Sequence, residues 1–235
     1  MKFIDLAILI DTTLIVCDVH IGIEDAMSKQ GILIPRFHFR DVLERMGSII
    51  RQSGISRFDR IIINGDIKHE FGKISDEEWR NTLKFITYLS GYTDEIILIR
   101  GNHDTILGPI AEKRKVMLVD NYKIKDILIT HGDKIPDNED LKGIRTIIIG
   151  HEHPAITIRE GQKRETFKCF LVGRYKTRKL IVQPSLNLLA EGTDINEDDL
   201  LSPFLHHELG DFEVFIVGDK IYDFSMLNNI NKASQ

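Results

Sequence analysis

Short runs of aliphatic and β-branched residues recur along the chain, separated by stretches of helical period. Leu6 to Ile10, Leu14 to Cys17, Arg60 to Ile63, Glu95 to Ile99, Asp126 to Thr130 and Thr146 to Ile149 are largely continuous in hydrophobicity rather than alternating, as expected of strands covered on both faces. Between them, Arg40 to Gln52 places Val42, Leu43, Met46, Ile49 and Ile50 at helical spacing ahead of Gly54, the pattern of an amphipathic helix ended by a glycine. Ser75 followed by Glu78 has the form of a capping box and opens a second helix through Trp79, Leu83, Ile86 and Leu89 to Gly91. From about Ala155 the helical period disappears. Ala155 to Arg159, Thr166 to Val172, Lys179 to Gln183, Phe212 to Val217 and Lys220 to Phe224 read as strands and are expected to form a second sheet. Strand and helix in alternation, then strands alone, predict a layered α/β protein.

Composition narrows the class without naming a partner. With 235 residues, 42% hydrophobic and 29% charged, the chain falls outside disordered and collagen-like classes and suits one substantial core. A single domain over 1–227 is expected, with a loose tail at 228–235. The net charge of −5 is too mild to imply a partner. Two cysteines, Cys17 and Cys169, form neither a disulfide framework nor a thiolate metal motif, so a reduced, cytoplasmic setting is expected. Cys17 reads as a small buried residue and not a nucleophile. No apolar run approaches the length of a membrane span, and neither export nor membrane insertion is expected.

The candidate chemistry follows the strands. Leu14 to Cys17 leads into Asp18-Val19-His20, and Ile61 to Ile63 into Asn64-Gly65-Asp66. Ile96 to Ile99 leads into Arg100-Gly101-Asn102-His103-Asp104, Ile127 to Thr130 into His131-Gly132, and Ile147 to Ile149 into Gly150-His151-Glu152-His153. Ligands bind at the carboxyl ends of strands in α/β sheets, where loops converge on a rigid frame. In an extended segment, residues two apart face the same way, so Asp18 and His20 can grip one ion; His151 and His153 can serve one ion or two neighbours. Asp18, His20, Asp66, Asn102, His131, His151 and His153 offer oxygen and imidazole without thiolate, which suits manganese, iron or zinc in an open site. Seven ligands exceed the needs of one transition ion. Two ions sharing a carboxylate would use them all, with Asp66, midway in the series, as the bridge.

The ordered set Asp18-x-His20, Gly65-Asp66, Gly101-Asn102-His103-Asp104, His131-Gly132 and Gly150-His151-x-His153 resembles the full signature of the calcineurin-like metallophosphoesterases. The resemblance implies a four-layer αββα sandwich and two divalent ions, Mn2+ foremost, with Fe2+, Zn2+, Ni2+ or Mg2+ as alternatives. It implies one ion on Asp18, His20, Asp66 and His153, the other on Asp66, Asn102, His131 and His151. His103 is then the catalytic histidine beside the phosphate, with Asp104 orienting it. His20-Ile21-Gly22 and Gly65-Asp66-Ile67-Lys68-His69 resemble motifs of the SbcD-type repair nucleases, whose second histidine positions the phosphate; His69 matches it. Gly31 to Pro35 and the chain length look closer to smaller archaeal SbcD-related and bacterial PdeM-type phosphoesterases. Lys68 stands where the family residue is usually apolar.

The reaction expected is hydrolysis of a phosphodiester, in DNA or another nucleic acid, by a metal-bridging hydroxide. A small cyclic nucleotide, a phosphomonoester, or a non-catalytic interaction role are the alternatives. A DNA-repair helicase or ligase is the partner the resemblance suggests, and a homodimer is a further expectation. Charge placement supports nucleic acid: Arg159 to Lys179 holds eight basic residues against two acidic ones, a patch able to follow a phosphate backbone if it lies beside the cleft. Other chemistry-bearing residues read plainly. Arg100 is expected at a solvated strand edge, Glu152 pointing away from the ions, Trp79 in the core, and His38, His206 and His207 on the surface.

Overall fold

The computed structural model describes residues 1–32, 34–72, 74–104, 106–161, 163–197 and 199–229. The expected tail therefore lies largely outside the described residues. Among them, a six-stranded sheet runs in chain order: β1 (Lys2–Ile4), β2 (Ala7–Ile10), β3 (Thr13–Cys17), β4 (Arg60–Asn64), β5 (Ile96–Ile99) and β6 (Met117–Val119). Strands β3 to β6 are parallel, and β1 and β2 add an antiparallel edge. Helices α1 (Ile23–Lys29), α2 (His38–Ser53), α3 (Asp76–Leu89) and α4 (Gly108–Arg114) supply the crossovers. Every residue of β3 and β5 is buried, which accounts for their uninterrupted hydrophobicity.

The second sheet begins earlier than the loss of helical period at Ala155 suggests. It contains β7 (Asn121–Ile124), β8 (Ile127–Thr130), β9 (Thr146–Ile149), β10 (Pro154–Glu160), β11 (Lys163–Tyr175), β12 (Arg178–Val182), β13 (Thr193–Asp194), β14 (Glu213–Val217) and β15 (Ile221–Met226). Thus β8 and β9, which sequence alone does not distinguish from the strands of the first sheet, carry their ligands on the second. The crossover from β8 to its parallel neighbour β9 is a turn-rich segment rather than a helix among the described residues.

One core cluster joins the sheets. It includes Ile15, Ile62 and Ile97 of the first, Ile129, Ile148 and Ile181 of the second, and Met46, Ile49, Phe85 and Ile86 of α2 and α3. A second cluster, on the far face of the second sheet, takes Leu141, Ile144, Phe204, Leu205 and Leu209 from irregular segments. The result is an α/β sandwich of two mixed sheets with helices outside the first. Buried Gln183 ties the layers, donating from Nε2 to the carbonyls of Leu6 at 3.0 Å and Ile15 at 2.9 Å. Those bonds satisfy backbone groups that lie between two apolar faces.

One residue departs from its sequence reading. His38 is buried, not superficial: its Nε2 accepts from the Leu188 amide at 3.3 Å, and burial pushes its pKa down to about 4. Lys68 is fully buried, with its Nζ donating to the Glu70 carbonyl, so an ammonium with its own acceptor fills the position normally apolar. His206 and His207 are exposed, and Trp79 packs against the main core while partly accessible. Arg100 is half exposed, with Nε 3.4 Å from Asp120.

Candidate metal centre

Five strand ends converge, three from one sheet and two from the other. The loops are stitched by backbone bonds: Asp18 N to Gly65 O at 3.2 Å, His20 N to Asp66 O at 2.9 Å, His69 N to Ile21 O at 3.0 Å and Gly150 N to His131 O at 2.8 Å. Asp18, His20, Asp66, His151 and His153 all have positive φ, from 44° to 64°. The expectation that Asp18 and His20 share an extended segment is therefore corrected. Sharp left-handed turns, not strand alternation, aim these side chains; Asp and His tolerate that region better than bulky or β-branched residues. At Gly65 (φ 80°) a Cβ would strike the His131 ring, and at Gly101 the Asp66 carboxylate. Those two glycines let neighbouring loops close on the site.

The seven expected ligands form two groups, and His20 also lies in a third cluster with His69 and His103. Asp18, His20 and His153 present donor atoms within 4.8 Å of one another, as do Asp66, His131 and His151. His151 and His153 thus belong to different groups. In the first group His20 Nε2 is 3.3 Å from His153 Nε2, and His153 Nε2 is 3.6 Å from Asp18 Oδ2. In the second, His131 Nε2 lies 2.9 Å from Asn102 Oδ1, 3.1 Å from His151 Nδ1 and 3.4 Å from Asp66 Oδ2. Asp66 Oδ2 is also 3.8 Å from His20 Nε2, so one carboxylate oxygen faces both groups.

The electrostatics suit cations. Burial alone would raise the Asp18 carboxyl, but His153, His131 and His20 outweigh it and hold it well below the usual carboxylate range. Asp66 is likewise pulled down against burial, chiefly by His131. Burial takes His20 down to about 3, so its ring presents a lone pair. His131 goes the other way, to about 9, because Asp66 and Asp18 overcome burial; a cation would replace that proton. Asp18 Oδ1 is buried and accepts no hydrogen bond among the described residues. Converging imidazole nitrogens, two ionised buried carboxylates and one orphaned carboxylate oxygen fit a pair of divalent ions.

The remaining site residues surround this centre. His103 Nδ1 lies 2.5 Å from the His69 carbonyl, while His103 Nε2 is 3.9 Å from Asp66 Oδ2. The His103 amide donates to Asp66 Oδ1 at 2.9 Å. His69 sits with Nδ1 3.3 Å from His20 Nδ1. The Asp104 carboxylate accepts from the amides of Gly101 at 3.0 Å and Lys68 at 3.5 Å. Asp104 therefore fastens two loops to each other, and the backbone at His69 fixes the His103 ring. Burial raises the Asp104 carboxyl to about 7.

Glu152 points away from the ligands, as expected, and accepts from the amides of Leu201 at 2.9 Å and Ser202 at 2.8 Å. Cys17 is buried, with its thiol pushed well above its ordinary value by burial and by Asp18, which fits a packing residue.

Two contributors escaped the sequence reading. Glu78 was visible as half of a capping box, and Ser75 Oγ does accept from its amide at 3.1 Å. Its carboxylate reaches further, accepting from the amides of His69 at 2.8 Å and Glu70 at 3.0 Å. Phe71 lies against His103 with ring centroids 3.7 Å apart. An isolated aromatic in a polar loop was the signal available for it.

The basic segment divides. β11 is antiparallel to β10, with Lys168 opposite Ala155 and Lys163 opposite Glu160. It then continues to Tyr175, opposite Arg178, while Lys179 pairs beside Thr146 at the amino end of β9. At about 3.3 Å per residue, Lys163 and Tyr175 stand at opposite ends of a 13-residue strand. Arg174, Lys176, Arg178 and Lys179 thus lie on the side away from the metal ligands. Arg159 and Arg164 both bind the Glu197 carboxylate.

Comparison with known proteins agrees with this architecture. The family model for calcineurin-like phosphoesterase matches residues 12–219, and the chain belongs to that family of metal-dependent phosphoesterases. Comparison with curated proteins gives no match. Among solved structures, the chain is similar to the nuclease MPE of Pseudomonas putida, at 16% identity and a TM-score of 0.61, covering 89% of this chain and 86% of that one. It is also similar to YfcE, a phosphoesterase from E. coli, at 15% identity and a TM-score of 0.44, covering 89% and 95%. The first of these likenesses supports the fold. No helix among the described residues is long and apolar enough to cross a membrane.

Proposed function

We propose that the protein hydrolyses phosphodiesters with two divalent ions, manganese foremost, and that its diester belongs to nucleic acid. The observation that supports this reading best is Asp66 Oδ2, 3.8 Å from His20 Nε2 and 3.4 Å from His131 Nε2. Asp18, His20 and His153 would hold one divalent ion and Asp66, His131 and His151 the other, and such ions would supply an activated water and positive charge to offset the non-bridging oxygens of a phosphate. The chain's own groups do the rest. The His69 carbonyl accepts from His103 Nδ1, so when the ring is protonated its second N–H, at Nε2, is directed into the site. That proton is available to the leaving oxygen, work typically worth about 10² to 10⁴ in rate. His69, through Nδ1, supports the ring of His20.

The hairpin of β10 and β11 starts beside His153 and carries Lys163 and Arg164 near its tip. Arg159 lies opposite Arg164 on the same hairpin, whereas Arg174, Lys176, Arg178 and Lys179 lie at the other end of β11 and β12, which favours a strand end or short segment over a long duplex. The test is a substrate panel. Metal-free protein, checked by metal analysis, is expected to be inert, and Mn2+ should restore hydrolysis of bis-p-nitrophenyl phosphate and a single-stranded oligonucleotide over p-nitrophenyl phosphate. Activity without metal, or a tenfold preference for the monoester, would sink the proposal.

A further inference from the structure

We infer that Phe71 is a specificity-determining residue, a stacking platform for a nucleobase of the substrate; this rests on the phosphodiesterase reading above. Phe71 is 60% exposed, unusual for a phenylalanine, yet its ring lies 3.7 Å from that of His103 at an interplanar angle of 32°. With the imidazole against one side, the accessible area is chiefly on the other. The other rings near His103 among the described residues stand further off, His20 at 4.9 Å and His69 at 5.5 Å between centroids. A flat apolar surface therefore begins at the residue assigned to the leaving group and ends in solvent.

The turn that presents this ring is built to hold still. Glu78 accepts from the amides of His69 and Glu70, the buried Lys68 ammonium donates to the Glu70 carbonyl, and the His69 carbonyl meets His103. Glu78 itself is fixed at the start of α3 by the Ser75 cap. Four anchors on two consecutive residues, His69 and Glu70, precede an exposed aromatic that has little burial to gain. A loop phenylalanine serving only packing would turn inward, since its burial is worth about 1.5–3 kcal/mol. A base stacks on such a surface regardless of its identity, and stacking of this kind commonly changes affinity by tenfold or more. The platform thus selects esters that carry a base without reading which base it is.

The experiment compares thymidylyl-thymidine with the same phosphodiester bearing tetrahydrofuran in place of both bases, so that the scissile chemistry is unchanged. With Mn2+, the parent should show a kcat/KM about tenfold higher on the dinucleotide. Phe71→Leu should erase that ratio, lowering kcat/KM on the dinucleotide far more than on the abasic diester, and Phe71→Trp should keep it. Calorimetric binding of thymidine monophosphate against methyl phosphate should show the same pattern without turnover. Equal losses on both diesters would make Phe71 a support for His103 and overturn the assignment. A ratio unaffected by Phe71→Leu would overturn it too. Hydrolysis of bis-p-nitrophenyl phosphate with neither a dinucleotide preference nor tighter thymidine monophosphate binding would reject the platform while leaving the diesterase standing. An inert parent on every diester would reject the diesterase.

Discussion

The Nδ1 of His103 lies 2.5 Å from the carbonyl oxygen of His69, so a peptide group, not a carboxylate, sets the tautomer of the ring assigned to protonate the leaving group. His103→Ala should lower kcat on bis-p-nitrophenyl phosphate by about 10² or more while both ions remain bound. His131→Ala should instead lose metal. Turnover and metal content measured on the same samples decide, and loss of metal from the His103 variant would make it a ligand.

Asp66 should be the ligand whose change reaches furthest. Its Oδ2 faces both donor groups, and its Oδ1 accepts the His103 amide. Asp66→Asn should reduce occupancy of both ions, whereas Asn102→Ala should weaken only the one near His131. Metal stoichiometry after gel filtration checks this, and two tightly held ions in the Asp66 variant would rule out sharing.

Asp104 separates scaffolding from chemistry. Its carboxylate holds the Gly101 and Lys68 amides, and an amide replacing it keeps only one oxygen for that work. Asp104→Asn is expected to cost about 1–3 kcal/mol of stability in chemical denaturation, with a smaller loss of kcat than His103→Ala. Undiminished stability alongside a loss of kcat as large as that of His103→Ala would assign it an orienting role.

His38 gives the fold a pH dependence away from the metals. Its neutral Nε2 accepts the Leu188 amide, and its folded pKa of about 4 lies below the ordinary 6.5. The unfolded chain therefore binds a proton that the folded chain refuses between those values. Stability is full above about pH 6.5 and falls as pH drops toward 4, by up to about 3 kcal/mol. His38→Gln should flatten that part of the profile. Urea midpoints at pH 7.5 and 5 measure it, and an unchanged slope in the variant would assign the acid sensitivity elsewhere.

The divided basic segment predicts an unequal salt response. Lys163→Ser with Arg164→Ser should reduce the slope of log K against log salt for an oligonucleotide by up to about 0.7 for each phosphate no longer neutralised, the single-strand value. Arg174→Ser with Lys176→Ser and Lys179→Ser should leave it unchanged. An effect from the second set alone would place the nucleic acid on the far end of the sheet.

What was legible in the sequence was whatever depends on neighbours in the chain. Asp18, Asp66, Asn102, His131 and His151 each follow an apolar run closely, and a strand end beside a glycine is a local fact. What was not legible depends on distant partners. His38 is buried, and the amide that its ring accepts from belongs to Leu188, 150 residues later. Glu78 satisfies a helix-cap pattern and also binds a turn eight and nine residues upstream. The basic segment looks like one patch in sequence, because nothing in its composition tells that β11 is long enough to carry its ends apart. The period of β8 and β9 reveals covered strands but not which sheet covers them.

The positive φ angles at Asp18, His20, Asp66, His151 and His153 set the routes by which such a centre can be lost or rebuilt. Each is a conformation costing on the order of 1–3 kcal/mol for most side chains, and asparagine and glycine are the replacements that tolerate it best. A lineage that abandons the ions through those two residues keeps its loops, and even relaxes them. One that passes through valine or isoleucine forfeits the turns along with the metal. The durable inactive descendants of this architecture should therefore carry asparagine or glycine at these five positions, and restoring catalysis to them would require side chains but no new backbone.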